Sequence, residues 1–123
     1  MADTAFEAIT TRQAWYAAEA VNKYDAVMYG EDGRYKKADG TRPFAGIVQY
    51  GAEAAGNMCT VVRGVFPGVA HETIAAGDPL TVNAGKFAKQ TAGEAVAIAL
   101  TAAANADELL SVSILETPFT VGG

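Results

Sequence analysis

Three hairpin-like segments of similar composition constrain the fold of this chain more than any other feature. Residues 27–36, 80–88 and 95–115 each contain an apolar, β-prone run, a connection and a second run. The first two turn through Glu-Asp-Gly at 31–33 and Asn-Ala-Gly at 83–85. A turn with Gly between such runs is typical of a β-hairpin, and the second turn reads as a three-residue loop. Such a chain devotes its sequence to a small β-rich body and keeps little for catalysis.

The composition of the 123 residues fits one small domain. Half of the residues are hydrophobic, but alanine supplies much of that share, so the predicted core is modest. Thirteen Gly and four Pro indicate many turns. Nine basic residues against fourteen acidic ones give a net charge of −5, which argues against nucleic acid as a partner, because phosphate binding needs concentrated Lys and Arg.

The single cysteine and the first residues limit the cellular context of the protein. Cys59 alone forms no intramolecular disulfide and supports no Cys-rich metal site. Residues 1–7 lack the basic start and apolar stretch of a secretion signal, and no apolar run approaches the ~20 residues of a membrane span. These features predict a soluble protein that is made in the cytoplasm and has neither a membrane partner nor a cofactor.

The sequence divides into a predicted N-terminal arm at 1–24 and a β-rich domain at 25–123. The stretch 14–21 is rich in Ala and could form two helical turns; alternatively, the arm is extended and becomes ordered only against a partner. Trp15 and Tyr16 are adjacent, and adjacent residues of a helix or strand cannot easily both face one core. One of the two rings is expected to face something else, unless both lie over the edge of the protein's own core.

Alternation of large and small side chains predicts the last strands. Val96, Ile98 and Leu100 alternate with alanines, and this interval of two favours a strand although the composition favours a helix. The alanine face allows another layer to approach closely. Residues 101–107 follow as an Ala-rich loop, for which a short helix is the alternative.

Residues with catalytic chemistry are few and scattered. His71 is the only histidine, and Cys59 lies inside the apolar run 58–66, where a thiol usually fills core space. Glu72 adjoins His71, but neighbours on a strand point to opposite faces. The sequence contains no phosphate-cradling loop, no calcium loop and no pair of carboxylates in a shared apolar setting. We therefore predict a protein that is not an enzyme and binds no metal.

From residue 61 to residue 115 the chain resembles bacteriophage capsid decoration proteins, also called capsid cement proteins. Five phrases carry the resemblance in order: Val-Arg-Gly-Val-Phe-Pro-Gly-Val at 62–69, Thr-Ile-Ala-Ala-Gly-Asp-Pro-Leu at 73–80, Gly-Lys-Phe at 85–87, Ala-Val-Ala-Ile-Ala-Leu at 95–100 and Leu-Ser-Val-Ser-Ile at 110–114. Residues 26–30 and 44–48 are similar to the family's opening strands. The ordered set, rather than any single phrase, supports the resemblance.

The resemblance implies a mainly β fold, with a small single-domain β-barrel or β-tulip-like body, short hairpins and at most one or two short helices. It implies a structural virion protein, made in the host cytoplasm, that binds the outer surface of an assembled capsid and cements neighbouring major capsid subunits. Such proteins usually gather at threefold or quasi-threefold positions, which implies a homotrimer. Their N-terminal segment often reaches onto the shell, so we expect Phe6, Ile9, Trp15 and Tyr16 to contact the capsid or a neighbouring subunit.

Three other interpretations stay open on the sequence. Residues 73–80 also look like the turn of small β-clip domains, some of which bind sugars or sugar acids, and such a site would use His71, Arg63 and Glu72. A second interpretation is another phage structural part, such as a tail-tube or connector subunit. A third is a cytoplasmic enzyme that uses Cys59 and His71.

Overall fold

The computed structural model describes residues 7–122, and over this range the chain forms strands, turns and loops without a helix. The nine strands are β1 (Ala8–Tyr16), β2 (Ala26–Tyr29), β3 (Tyr35–Lys37), β4 (Phe44–Tyr50), β5 (Met58–Val69), β6 (Pro79–Asn83), β7 (Lys86–Lys89), β8 (Gly93–Ala99) and β9 (Leu109–Val121). The prediction of a mainly β, single small domain is confirmed. Neither of the two helical alternatives, at 14–21 and at 101–107, is formed.

All strand pairs are antiparallel, and the sheet has the order β3-β2-β4-β5-β9-β8-β6-β7, with β1 paired to β5. The sheet curls into a half-barrel. Its two ends meet at Gly85, whose carbonyl oxygen accepts from the amide of Ala26 at 2.8 Å and whose amide donates to the carbonyl oxygen of Ala38 at 2.9 Å. The tip of the β6–β7 hairpin thereby joins the β2–β3 hairpin.

The structure confirms the three predicted hairpins and corrects one turn. Strands β2 and β3, β6 and β7, and β8 and β9 pair as predicted. The predicted three-residue loop at 83–85 is wrong, because Asn83 pairs directly with Lys86 and leaves a two-residue turn. Both turn residues have left-handed backbone, with φ of 50° at Ala84 and 85° at Gly85. This is the pattern of a type I′ turn, whose twist matches that of the flanking strands.

Two clusters of buried side chains hold the sheet together. The first core fills the half-barrel and includes Phe66, Phe87, Leu80, Leu110 and Val112. The second core lies on the other face of β4 and β5; its members are Ala17, Val21, Val27, Tyr35, Ala45, Val48, Ala52, Cys59 and Val61. Strand β5 belongs to both, because Val61 and Val62 point to opposite faces.

Strand β8 turns its alanines inward. Ala95, Ala97 and Ala99 are buried, whereas Leu100 is 44% exposed. The first core already contains the rings of Phe66 and Phe87, so small side chains suffice on β8, and the sheet can approach those rings closely. Ile98 is consequently on the outer side of β8, whereas Val96, at an irregularity between Ala95 and Ala97, packs partly buried against the first core.

Candidate functional site

Strand β1 is paired on one edge only. Residues Ala8–Tyr16 pair with β5, and within the range 7–122 the second edge of β1 meets a strand only at its end, where Ala17 forms an isolated parallel bridge to Tyr35 of β3. Just beyond β1, the amide of Ala17 donates to Asn57 at 2.8 Å, whereas the amide of Ala18 points the other way and donates to Tyr35 at 2.7 Å. Hydrogen-bonding direction alternates along a strand, so the backbone groups of Arg12 and Ala14 face the unpaired part of this edge, whereas Tyr16 lies where the bridge to Tyr35 begins.

Four large apolar side chains are exposed at the end of β1 and its neighbours. Trp15 and Tyr16 are 46% and 42% exposed; as strand neighbours they leave opposite faces of β1, but their rings contact each other edge-on at 5.2 Å. Tyr16 lies opposite Met58, which is 52% exposed. Tyr50 is 62% exposed and lies opposite Thr60, two residues along β5 from Met58 and therefore on the same face. We call these four residues, Trp15, Tyr16, Tyr50 and Met58, the aromatic patch.

The patch is held in place by side-chain contacts of β1. The Nε of Arg12 donates to Oε1 of Gln49 at 2.7 Å, and the hydroxyl of Tyr29 donates to Oε1 of Gln13 at 3.4 Å. Gly64 of β5 lies opposite Ile9, and a Cβ at Gly64 would collide with the carbonyl oxygen of Ala8. β1 can follow β5 through this point because residue 64 is a glycine.

The four residues expected to make contacts differ in where the structure places them. Trp15 and Tyr16 are exposed side by side, whereas Ile9 is partly buried against the first core. Phe6 lies outside the described residues. Sequence reasoning missed Tyr50 and Met58, because they join Trp15 and Tyr16 only through the registers of β4 and β1 on β5.

A second surface runs across the outside of the half-barrel. Val65, Ser113, Ile98 and Pro79 are in register across β5, β9, β8 and β6, so their side chains form one row on one face. All four are partly exposed, and none carries a charge. The outer face of an antiparallel sheet is usually polar. This uncharged row is therefore a candidate contact surface.

The residues of the alternative interpretations are not brought together. Cys59 is buried near the start of β5, and burial raises the pKa of its thiol. His71 follows the end of β5 and is exposed beside Asn83. The eleven residues of extended strand from Cys59 to the end of β5 span on the order of 30 Å, too far for a nucleophile–base pair. A cleft near Arg63 includes neither His71 nor Glu72 in its lining.

Two further findings concern residues 7–122 as a whole. Within them, no group of three or more His, Cys, Asp and Glu side chains is placed to hold a metal ion. The same stretch of chain contains no helix with the length and apolar character needed to cross a bilayer.

The fold is a small half-barrel with an exposed aromatic patch and an unpaired strand edge. Residues 7–114 match the sequence model of the phage cement proteins, and the chain belongs to that family. It is accordingly a capsid-associated structural protein of the phage virion, at the capsid surface. The resemblance read from the sequence is confirmed.

One solved structure supports the same fold. The chain is similar to the head fiber gp8.5 N base in bacteriophage phi29, with a TM-score of 0.70 and 17% sequence identity. The match covers 89% of this chain and 97% of that one. None of the curated proteins is similar enough to match this chain.

Proposed function

We propose that this protein binds the outer surface of an assembled phage capsid and cements neighbouring major capsid subunits, without catalysing a reaction. The aromatic patch carries the proposal. Its four side chains are 42% to 62% exposed at one end of the sheet, in a chain that belongs to the phage cement family. Exposed aromatic and Met side chains grouped in this way are typical of protein contact surfaces.

Binding to a lattice explains how so small a protein stabilises a shell. A ligand that binds the assembled capsid and not its separate subunits shifts the equilibrium toward the assembly by mass action. A contact of standard size buries about 1,600 Å² in total, and a few central aromatic residues carry most of its energy. The net charge of −5 keeps free copies soluble and disfavours contact with the packaged DNA.

Residues 1–24 are expected to act as an arm, and we propose different roles for different side chains of this segment. Trp15 and Tyr16 are proposed to enter the capsid contact together with Tyr50 and Met58. Ile9 is proposed to hold β1 on the body, since it packs against the first core. Phe6 is proposed to contact the capsid, beyond the described start of β1.

The uncharged row supports a homotrimer at a threefold or quasi-threefold position as the assembled form. Val65, Ser113, Ile98 and Pro79 leave an uncharged strip on a chain of net charge −5, and a neighbouring copy would remove it from water. The test is the number of protein copies in each assembly, determined from its molecular mass in solution and on capsids. Ile98→Lys is expected to dissociate the trimer, while Asn105→Lys on an exposed loop is the control; an unchanged assembly of Ile98→Lys would contradict this interface.

Binding to undecorated phage heads tests the capsid contact. The variants are Tyr16→Ala, Tyr50→Ala and Met58→Ala, with Phe119→Ala as matched control because Phe119 is 55% exposed on β9. Loss of a central contact residue typically costs about 2 kcal/mol or more, or about 30-fold in Kd. We expect a weakening of this size for at least Tyr16→Ala, measured by co-sedimentation, and none for Phe119→Ala. Equal binding by all variants would contradict the aromatic patch as the capsid contact. Electron micrographs that show rings or tubes but no decorated heads would contradict the proposed function.

A further inference from the structure

The wall of the half-barrel is split at Arg63. Strand β4 pairs with β5 as far as Val62, and β9 pairs with β5 from Val65 onward. Arg63 bridges the gap: its Nη1 donates to the carbonyl oxygen of Ala45 and its Nη2 to that of Leu115, each at 3.1 Å. The guanidinium thus joins two strands that have separated from β5.

A cleft of about 690 Å³ opens at this split. Pro43, Phe44, Val82, Val96 and Pro118 supply apolar lining, and the guanidinium of Arg63 lies 6.0 Å from the centre of the Phe44 ring. Polar and apolar groups contribute equally to its walls, and a concave site of this size with convergent polar groups is a typical place for a ligand to bind. The charged residues that line it are Arg42, Arg63, Glu94 and Glu116.

The two cations of the cleft have no acidic partner. Over residues 7–122, ion pairs within 4 Å join only Arg34 to Asp32 and Lys86 to Asp107. Arg42 donates to the carbonyl oxygens of Tyr29 at 3.3 Å and Gly30 at 3.5 Å. Arg63 likewise donates only to backbone carbonyl oxygens. A guanidinium bonded only to neutral acceptors has no acidic side chain beside it to offset its charge. Its best complement is a carboxylate, which matches the forked N–H donors.

We propose that this cleft receives an extended segment of the capsid partner and that a carboxylate of that segment pairs with Arg63. The inference rests on the proposed function, since the capsid supplies the segment. The slot lies between β4 and β9, and an extended chain fits such a space beside strand edges. The lining holds two cations and two acids, so it complements a segment that presents a carboxylate to Arg63 and a neutral or basic residue to Glu94 and Glu116.

Photo-crosslinking on heads identifies the occupant. p-Benzoylphenylalanine replaces Gln90, which lines the cleft, or Asn105, which is exposed elsewhere. We expect the cleft position to crosslink to one segment of the major capsid protein within a few residues of an Asp or Glu, and the control position not to reach it. Decorated heads without that crosslink, or with a crosslink to a second copy or a non-acidic segment, would overturn the proposal. Heads that stay undecorated would reject the proposed function itself.

Two substitutions test the cleft independently. Arg63→Gln removes the charge, and we expect binding to heads to weaken about 30-fold or more and to lose part of its salt dependence. Because Arg63 also joins two strands, the melting temperature of the Arg63→Gln protein is compared with that of the unchanged protein. Thr81→Trp narrows the cleft and leaves Arg63 intact, and it is expected to weaken binding similarly, whereas Asn105→Trp has no effect. Undiminished binding by a folded Thr81→Trp protein would contradict the proposal.

Discussion

The buried hydroxyl of Tyr35 offers a test of how the second core contributes to the stability of the fold. Tyr35 is fully buried, and although its hydroxyl lies near that of Tyr29, no group of the described chain meets the distance and angle of a hydrogen bond to it. Burial, with the nearby Tyr29 as the next cause, raises the pKa of this phenol above its ordinary value. Tyr35→Phe removes only the unpaired oxygen and retains the ring, which packs 5.5 Å from the ring of Tyr29.

The expected gain follows from the cost of an unpaired buried group. Leaving such a donor unsatisfied costs about 1–3 kcal/mol, so we expect Tyr35→Phe to stabilise the protein by about 1 kcal/mol. Unfolding entropy near 60 °C is about 2.1 cal/mol/K per residue, or about 260 cal/mol/K for 123 residues. A gain of 1 kcal/mol therefore raises Tm by about 4 °C.

Thermal and urea unfolding, followed by circular dichroism and by the fluorescence of Trp15, measure this change. The matched control is Tyr50→Phe, which removes a hydroxyl from a side chain that is 62% exposed. Its removal should change the free energy of unfolding by no more than about 0.5 kcal/mol. If Tyr35→Phe instead lowers Tm by several degrees, the hydroxyl has a partner in solution and the reasoning is wrong.

Three further predictions concern the turns and β1. Ala84→Gly should raise the free energy of unfolding, measured in urea, by about 0.5–1 kcal/mol, because Ala84 has left-handed backbone with φ of 50°. A lower free energy of unfolding would contradict the turn assignment. Gly64→Ala should destabilise by about 1–3 kcal/mol and raise amide exchange in β1, since φ is 107° and Ala8 blocks the Cβ; protected β1 amides would refute this. The pKa of Glu108 is lowered by bonds from the side chain of Asn105 and the amide of Ala104. The ionised carboxylate of Glu108 therefore stabilises the folded protein at pH values above about 4.3, the pKa of Glu in the unfolded chain. This contribution disappears as the pH falls through the lower pKa of Glu108 in the folded protein. Glu108→Gln should lower Tm at pH 7 but not at about pH 2, and a pH-independent difference would contradict the bonds.

Local patterns in the sequence predict the hairpins and strand β8 correctly. Alternation at residues 95–100 outweighs the helical preference of alanine because the neighbouring strands determine which face is buried. The two-residue turn at Ala84 is less visible, since a left-handed Ala depends on the register of β6 and β7 rather than on its own preference.

The aromatic patch and the cleft at Arg63 depend on pairing between strands that are distant in the sequence, so the sequence alone does not reveal them. Trp15 and Tyr16 stand out as adjacent rings, but Met58 and Tyr50 join them only because β1 and β4 pair with β5 in particular registers. The role of Arg63 is similar, since it depends on where β4 and β9 separate. No short motif encodes either arrangement.

The pairing of β1 with β5 has a mechanical consequence. The ladder runs from Ala8 opposite Val65 to Tyr16 opposite Met58, and its hydrogen bonds lie across the strand direction. A pull on the aromatic patch along β1 therefore loads many of these bonds in shear at the same moment, whereas a pull across the strand would open them one after another. An attachment seated at this end of the sheet resists sliding far better than peeling.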